Sequence, residues 1–420
     1  MTSCLPRFAA CVIAGSLAGQ PAWAEPAAPE AATQLSPASS RVTLRDALNA
    51  AWQRATAARE AEWQRRRAEA ERVATRRPWA AAPSLELNHR SDRLQRHDGQ
   101  RETEVGIAIP LWLPGQRAAR AATVEAEAAH AQAGEQAARL VLVGELREAA
   151  WRVALLQANA AQADAHAAGL AQLADDVDRR VSAGDLARAD SLAAHAERLD
   201  ATAALVDTRQ RLQAAQAQWT LLTGLTAPPH LPSPAVPDDA TLMLDKHPEW
   251  RLANQAVTLA QQRLSLVRHS RRDAPELTLG LRQEQPGRGD ASQGSLAIGV
   301  RLPLGTDDRN RPLDTAALSE LDLAQAREQR LRERLASDTA SARAAQQAAL
   351  QQLEAATQRA RLLRERAMLI DKSFRAGETP LPDLLRAQAI ASQADSAVAR
   401  LTAALGLARA RLEQSLGALP

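Results

Sequence analysis

Val105-Gly106-Ile107-Ala108-Ile109-Pro110-Leu111 alternates large apolar with small side chains, and Ile298-Gly299-Val300-Arg301-Leu302-Pro303-Leu304 repeats the phrase 193 residues later. A period of two puts Val105, Ile107, Ile109 and Leu111 on one face of a strand and Gly106, Ala108 and Pro110 on the other. The echo belongs to a longer correspondence at the same offset. Gly184 matches Gly377, Asp190 matches Asp383, Gly224 matches Gly417, and Leu205, Leu212 and Trp219 fall on Val398, Leu405 and Leu412. Agreement without drift identifies a duplicated structural unit.

Working outward, each phrase is preceded by a second alternating run, Leu85 and Leu87 in one half and Leu277, Leu279 and Leu281 in the other. Polar, glycine-bearing stretches join the runs, which predicts β-hairpins over 84–112 and 276–304. Helical patterns flank them, about 43–77 before the first hairpin and 242–272 before the second. After the first, 117–222 reads as a helical hairpin whose Leu142, Leu146, Ala149, Val153 and Leu156 form a heptad seam, turning at Val181 to Asp185. After the second, 313–416 reads likewise and turns at Arg375 to Glu378. The first repeat thus spans 42–224 and the second 241–420, with a proline-rich linker over 225–240. A helix of about 64 residues is roughly 95 Å long, so the two shorter helices of each repeat match it end to end as a broken second rod.

Residues 1–24 read as a secretory signal, with Arg7, an apolar stretch from Phe8 to Ala18, and Ala22-Trp23-Ala24 as a cleavage site. Residues 25–41 read as a disordered leader. Cys4 and Cys11 leave with the signal, so disulfides do not stabilise the mature chain. Lys and Arg number 52 against 49 Asp and Glu; without Arg7 the balance is nearly neutral and supports no nucleic-acid partner. The chain has no tyrosine and only two phenylalanines, which suits thin alanine-rich helical seams better than a thick globule. GxSxG, phosphate-loop and HExxH patterns are absent, and no enzyme is expected. No run of 18 apolar residues follows the signal, so a membrane crossing requires a closed β-barrel. Four strands cannot close one, whereas three copies supply twelve.

In these residues the chain resembles the TolC family of outer-membrane efflux ducts over essentially its whole mature length. The resemblance rests on the duplicated strand-strand-helix-turn-helix unit, the paired phrases at 105–111 and 298–304, and the glycine turns followed by Asp190 and Asp383. Within that family, His247-Pro248-Glu249-Trp250, Pro275-Glu276-Leu277-Thr278-Leu279 and Asp308-Arg309-Asn310 resemble the branch serving heavy-metal cation pumps of the cobalt-zinc-cadmium and copper-silver type. The resemblance implies a mainly helical chain with a small β part, forming a homotrimeric twelve-stranded outer-membrane barrel continued by an α-helical coiled-coil periplasmic tunnel. It implies a passive exit duct for divalent heavy-metal cations in a tripartite resistance-nodulation-division type system. Partners are a periplasmic adaptor (membrane fusion protein), an inner-membrane proton-driven pump and outer-membrane lipid, without a cofactor. A duct for drugs or for type I protein secretion is the alternative within the class, and a secreted coiled-coil scaffold the alternative outside it. The chain departs from the family in interfacial aromatics, with only Trp112 at one strand end, and in lacking a mature N-terminal cysteine for a lipid.

By the same resemblance Asp383 borders the periplasmic aperture, Arg386 one turn on, where some relatives carry an acid, suggests a mixed-charge gate with Asp383 pairing to Arg386, and Asp190 lies at the matching place in the first repeat. The other reading of Asp383 is a cap on the returning helix. The turns Val181, Ser182, Ala183, Gly184, Asp185 and Arg375, Ala376, Gly377, Glu378, Thr379 resemble tips that dock against an adaptor's helical hairpins. Ordinary glycine C-caps are the other reading there. The eight histidines lack metal-ligand spacing, and no metal site is expected.

Overall fold

The computed structural model describes residues 42–94, 98–228, 231 and 243–420. The expected signal segment 1–24, the leader 25–41 and most of the proline-rich linker lie outside the described residues. In chain order the elements are α1 Leu44–Arg54, α2 Thr56–Thr75, β1 Ser84–Ser91, β2 Arg101–Pro110, α3 Gln116–Ala183, α4 Arg188–Thr223, α5 Pro248–His269, β3 Glu276–Gln285, β4 Gln293–Arg301, α6 Asp307–Arg375 and α7 Leu381–Ser415. A single 3-10 turn, Leu244–Lys246, precedes α5. The described residues are mainly helical with one small antiparallel sheet, as the two hydrophobic periods predict.

The helices form one layer rather than a bundle with a central core. Near the sheet the packing order is α2, α3, α5, α6; at the opposite end it is α4, α3, α7, α6. Helices α3 and α6, 68 and 69 residues long, run through both halves. At a rise of 1.5 Å per residue each is about 100 Å in length. Helices α2 and α4 lie along α3, and α5 and α7 along α6, each pair end to end.

Packing is concentrated in two clusters. One joins Leu48 and Ala51 of α1, Leu142, Val143, Leu146 and Val153 of α3, and Trp219 of α4. Trp219 is fully buried, and its indole N–H donates to Ala227 O at 3.1 Å. The other lies at the far end of the rods and is described below. Elsewhere alanines fill the seams, and the layer is tightly packed where α3 meets α7. There a Cβ on Gly406 would stand 2.1 Å from the Trp151 ring.

Three boundaries differ from the sequence reading, the first being the helix expected over 242–272, which begins only at Pro248 after the 3-10 turn. The helix expected over 43–77 breaks at Ala55, whose backbone is extended (φ −70°, ψ 138°). Helix α1 packs on both α3 and α4 whereas α2 follows α3 alone, so the two need different directions. The local sequence carries no Gly or Pro to mark the break, but Pro248, 193 residues on, opens α5 at the equivalent place. Helix α6 begins at Asp307 rather than Leu313 and includes Pro312. Proline there removes only one hydrogen bond near the terminus, and Asp307 and Asp308 favour the positive end of the helix dipole. Asp308-Arg309-Asn310 is therefore the first turn of α6, tied back by Arg309 Nη2 to Asp273 Oδ1 at 2.5 Å.

Candidate functional site: the two ends of the column

The sheet runs in the order β1-β2-β3-β4, and β1 and β4 are its free edges among the described residues. Its register stacks the apolar side chains in rows. Leu85, Ile107, Leu279 and Ile298 form one complete row, and Leu87, Val105, Leu281 and Leu296 another. Ile109, Leu277 and Val300 form a third across three strands. The side chains of the two complete rows are between 42 % and 73 % exposed. On the other face Gly106, Ala108 and Gly280 are buried, beside a polar row of Asn88, Glu104, Arg282 and Ser295. Arg282 pairs there with Glu102 at 2.9 Å. The sheet is thus inside-out relative to a water-soluble domain: large apolar residues face outward, small and charged ones inward. Trp79 and Trp112 both flank the end nearest the helices, with the Trp112 indole N–H donating to Arg77 O at 3.2 Å. Trp79 was missed in the sequence because it precedes β1, and only the pairing of Ala80 N–H with Pro110 O brings it alongside.

At the opposite end the two helical turns are built alike. In the first, Gly184 adopts φ 89° and Asp185 N–H donates to Arg180 O at 2.9 Å; in the second, Gly377 adopts φ 82° and Glu378 N–H donates to Ser373 O at 3.0 Å. Glycine is required at both for the left-handed conformation. A Cβ on either would meet nothing within 4 Å, so the tips are open. The turns are held side by side by Ala174, Val177, Ala194, Phe374, Leu381 and Leu384. Arg180 completes the union: its guanidinium stacks on Phe374 at 4.9 Å and donates to the terminal carbonyls of α6, Phe374 O at 3.2 Å and Arg375 O at 3.4 Å. Of the expected tip residues, Val181 packs against this cluster, Ser182 donates to Asp178 O, and Thr379 bonds Ser373 across the second turn.

The two aspartates after the turns are placed differently. The Asp190 carboxylate accepts the Ala187 N–H at 3.1 Å and caps α4. Asp383 makes no such bond, because the matching residue is Pro380, and its ion pair Arg386 stands 3.9 Å away. Sequence reasoning passed over Pro380, although aligning the repeats sets it against Ala187. Beside the first turn Asp178 accepts from Ser191 at 2.6 Å and contacts His195 at 2.8 Å. Ser191 and then His195 hold its carboxyl below the ordinary range. Serine donates to aspartate here rather than to histidine, so the trio is a brace and not a nucleophile with its base.

Between the ends, a groove of about 570 Å³ over α2, α3, α5 and α6 is lined by Glu60, Arg67, Glu127, His130, Arg263 and Arg327 among others. Arg263 bridges Glu127 and Glu320, and burial, then Arg263, lowers the His130 pKa. His247 is buried, caps α5 by accepting the Glu249 N–H at 3.2 Å, and is also lowered by burial. Pro248 is the first residue of α5, and Glu249 pairs with Arg334, so the 247–250 phrase has a structural role at this junction. Among the described residues no group of three His, Cys, Asp or Glu could hold a metal ion, and no helix is long and apolar enough to cross a membrane.

Residues 241–418 match the family model described as outer membrane efflux protein. No curated protein gives a significant sequence match. The fold is similar to that of the outer membrane protein VceC of Vibrio cholerae (TM-score 0.70, 18 % identity, covering 89 % of this chain and 96 % of that one). A membrane protein from Pseudomonas aeruginosa is equally similar (TM-score 0.72, 19 % identity, 89 % and 93 % covered). The open-state outer membrane channel MtrE of Neisseria gonorrhoeae matches at TM-score 0.69 and 17 % identity, with 89 % and 88 % covered.

Proposed function

We propose that the chain is the subunit of an outer-membrane exit duct, a homotrimer in which three sheets close into a twelve-stranded barrel and three helical layers continue it through the periplasm. One observation carries the reading: an inside-out sheet with two unpaired edges stands at the end of an open helical layer. Backbone groups on an open edge find no hydrogen-bond partner in hydrocarbon, so such a sheet enters a bilayer only by closing. Pairing β1 of one copy with β4 of the next satisfies both edges at once and can be repeated around a ring. The small and polar inner rows then line a water-filled lumen while the leucine, isoleucine and valine rows meet lipid. The family match of the second repeat and the fold likeness support the same architecture.

On this reading the chain is the outer-membrane component of a tripartite resistance-nodulation-division type system. The turns 181–185 and 375–379 meet a periplasmic adaptor, which connects to a proton-driven inner-membrane pump, and Asp383, Arg386 and Asp190 border the periplasmic aperture. We assign divalent heavy-metal cations as the cargo on the sequence phrases at 247–250, 275–279 and 308–310. A conduit passes an ion without ligating it. The test is twofold. The protein should partition with the outer membrane as a heat-modifiable trimer; a monomeric, water-soluble product would overturn the duct. Deleting the gene should lower tolerance to zinc, cobalt, cadmium or copper, whereas loss of drug tolerance or of protein secretion alone reassigns the cargo.

A further inference from the structure

The two helices that leave the turns begin in nearly the same conformation. Ala187 has φ −81° and ψ 152°, Pro380 has φ −73° and ψ 152°. Each is followed three residues on by an aspartate whose backbone N–H returns to its carbonyl, Asp190 N to Ala187 O at 2.9 Å and Asp383 N to Pro380 O at 3.2 Å. At the capping position itself the repeats differ in one atom's chemistry, and one turn on Arg386 stands where the first repeat has Ala193. Ala187 has an N–H, and the Asp190 side chain takes it at 3.1 Å; Pro380 has none to give. The helix dipole acts on both carboxylates alike, so it does not separate them.

We propose that Pro380 is a selectivity-determining residue: by withholding the capping N–H it leaves the Asp383 carboxylate free to face passing cations, while Ala187 commits Asp190 to its helix. The proposal rests on the reading that these residues border the aperture. A carboxylate locked into a cap has one oxygen occupied and its rotamer fixed. An uncapped one keeps both oxygens clear of hydrogen bonds, since Arg386, at 3.9 Å, pairs with it by charge alone across exposed surface, where such pairs are weak. In a ring of three at a narrow neck, that difference sets how strongly cations are favoured over anions.

The purified full-length protein in planar bilayers, under a potassium chloride gradient, gives the cation-to-anion permeability ratio from the reversal potential. Asp383→Asn tests the aperture reading alone and is expected to lower the ratio; no change removes that reading. Pro380→Ala restores the N–H and is expected to lower the ratio about twofold or more with no further effect in the Asp383→Asn background. Ala187→Pro is expected to raise it by releasing Asp190. An effect of Asp383→Asn with none from Pro380→Ala overturns the proposal and leaves the aperture reading intact. Thermal unfolding supplies a readout independent of current. Asp383→Ala should lower Tm slightly in the parent, where only the helix dipole and Arg386 act on the carboxylate, and by clearly more in the Pro380→Ala background, where a cap now exists to lose. Equal shifts in both backgrounds refute the capping exchange.

Discussion

Arg147 is 5 % exposed in the middle of α3, and its guanidinium reaches three groups near the chain's end: Glu413 at 3.0 Å, Gln414 at 2.8 Å and Ala418 O at 3.2 Å. Burial lowers its pKa and Glu413 opposes that, and a guanidinium stays charged throughout. Removing the cation strands Glu413 and two carbonyl acceptors. Breaking a fully buried pair costs roughly 3–5 kcal/mol; Glu413 keeps some solvent, so Arg147→Met should cost about 2–3 kcal/mol in detergent unfolding. Adding Glu413→Leu should recover most of the loss. His247 supplies a pH effect. Its folded pKa lies below the ordinary value, chiefly through burial, so below about pH 6.5 the unfolded chain takes up a proton that the folded chain resists. Stability from this group is therefore complete above the ordinary pKa and is lost as pH falls from there toward the folded pKa. His247→Asn keeps an acceptor for the Glu249 N–H and should flatten the Tm-against-pH profile as pH falls below about 6.5. An unchanged slope assigns the dependence to other groups, His130 first.

Among the elements, glycine positions with opposite surroundings give a paired test of how the layer packs. Gly406 in α7 lies under the Trp151 ring, where an added Cβ has no room, whereas Gly169 in α3 has nothing within 4 Å of the same atom. Gly406→Ala should destabilise by about 1–3 kcal/mol, since a well-packed seam does not yield to an extra methyl. Gly169→Ala should stabilise by about 0.5–1 kcal/mol through helix propensity alone. Urea unfolding of both, with Trp151→Leu added to Gly406→Ala as a rescue, checks the pair. These seams also show what the sequence could disclose. Period-two alternation marked the strand phrases because each large residue is followed by a small or polar one, and the sheet needs that pattern on both faces. The break at Ala55 was illegible because alanine suits both helix and extended backbone there; the cause is the different packing partners of α1 and α2. Pro312 misplaced the start of α6 because a proline near a helix terminus costs only one hydrogen bond. At the tips, Asp190 and Asp383 looked equivalent in sequence, and only the bond from Ala187 N–H separates them. The union of the two turns through Arg180 and Phe374 joins residues 194 positions apart and left no local signal.

The described residues from 42 onward form a layer with two open sides, β1, α2 and α4 along one and β4 and α6 along the other. Leu192, Leu199 and Val206 stand exposed at seven-residue spacing on α4, and Leu362 and Leu369 do so on α6. Heptad spacing is the pattern of a coiled-coil seam awaiting a partner helix, so both sides look unfinished in the same way as the sheet edges. Closure between copies can be tested by chemistry that one chain cannot perform alone. Cys4 and Cys11 lie in the expected signal segment, so introduced cysteines are read against an empty background in the mature protein. With neighbouring strands about 4.8 Å apart, β1 and β4 of one sheet are separated by roughly 14 Å, beyond the 4.4–6.8 Å or so that a disulfide spans between Cα atoms. Asn88→Cys on β1, paired in turn with a cysteine at each of Ser295, Ala297 and Gly299 on the same face of β4, should therefore oxidise only between copies. Because barrel strands are staggered, one of the three pairs should react faster than the others. On non-reducing gels that pair should give a ladder of dimer and trimer that ends at trimer. A ladder running past trimer would indicate an open polymer, and failure of every pair to link copies would leave the sheet edges unpaired and remove the basis for the barrel.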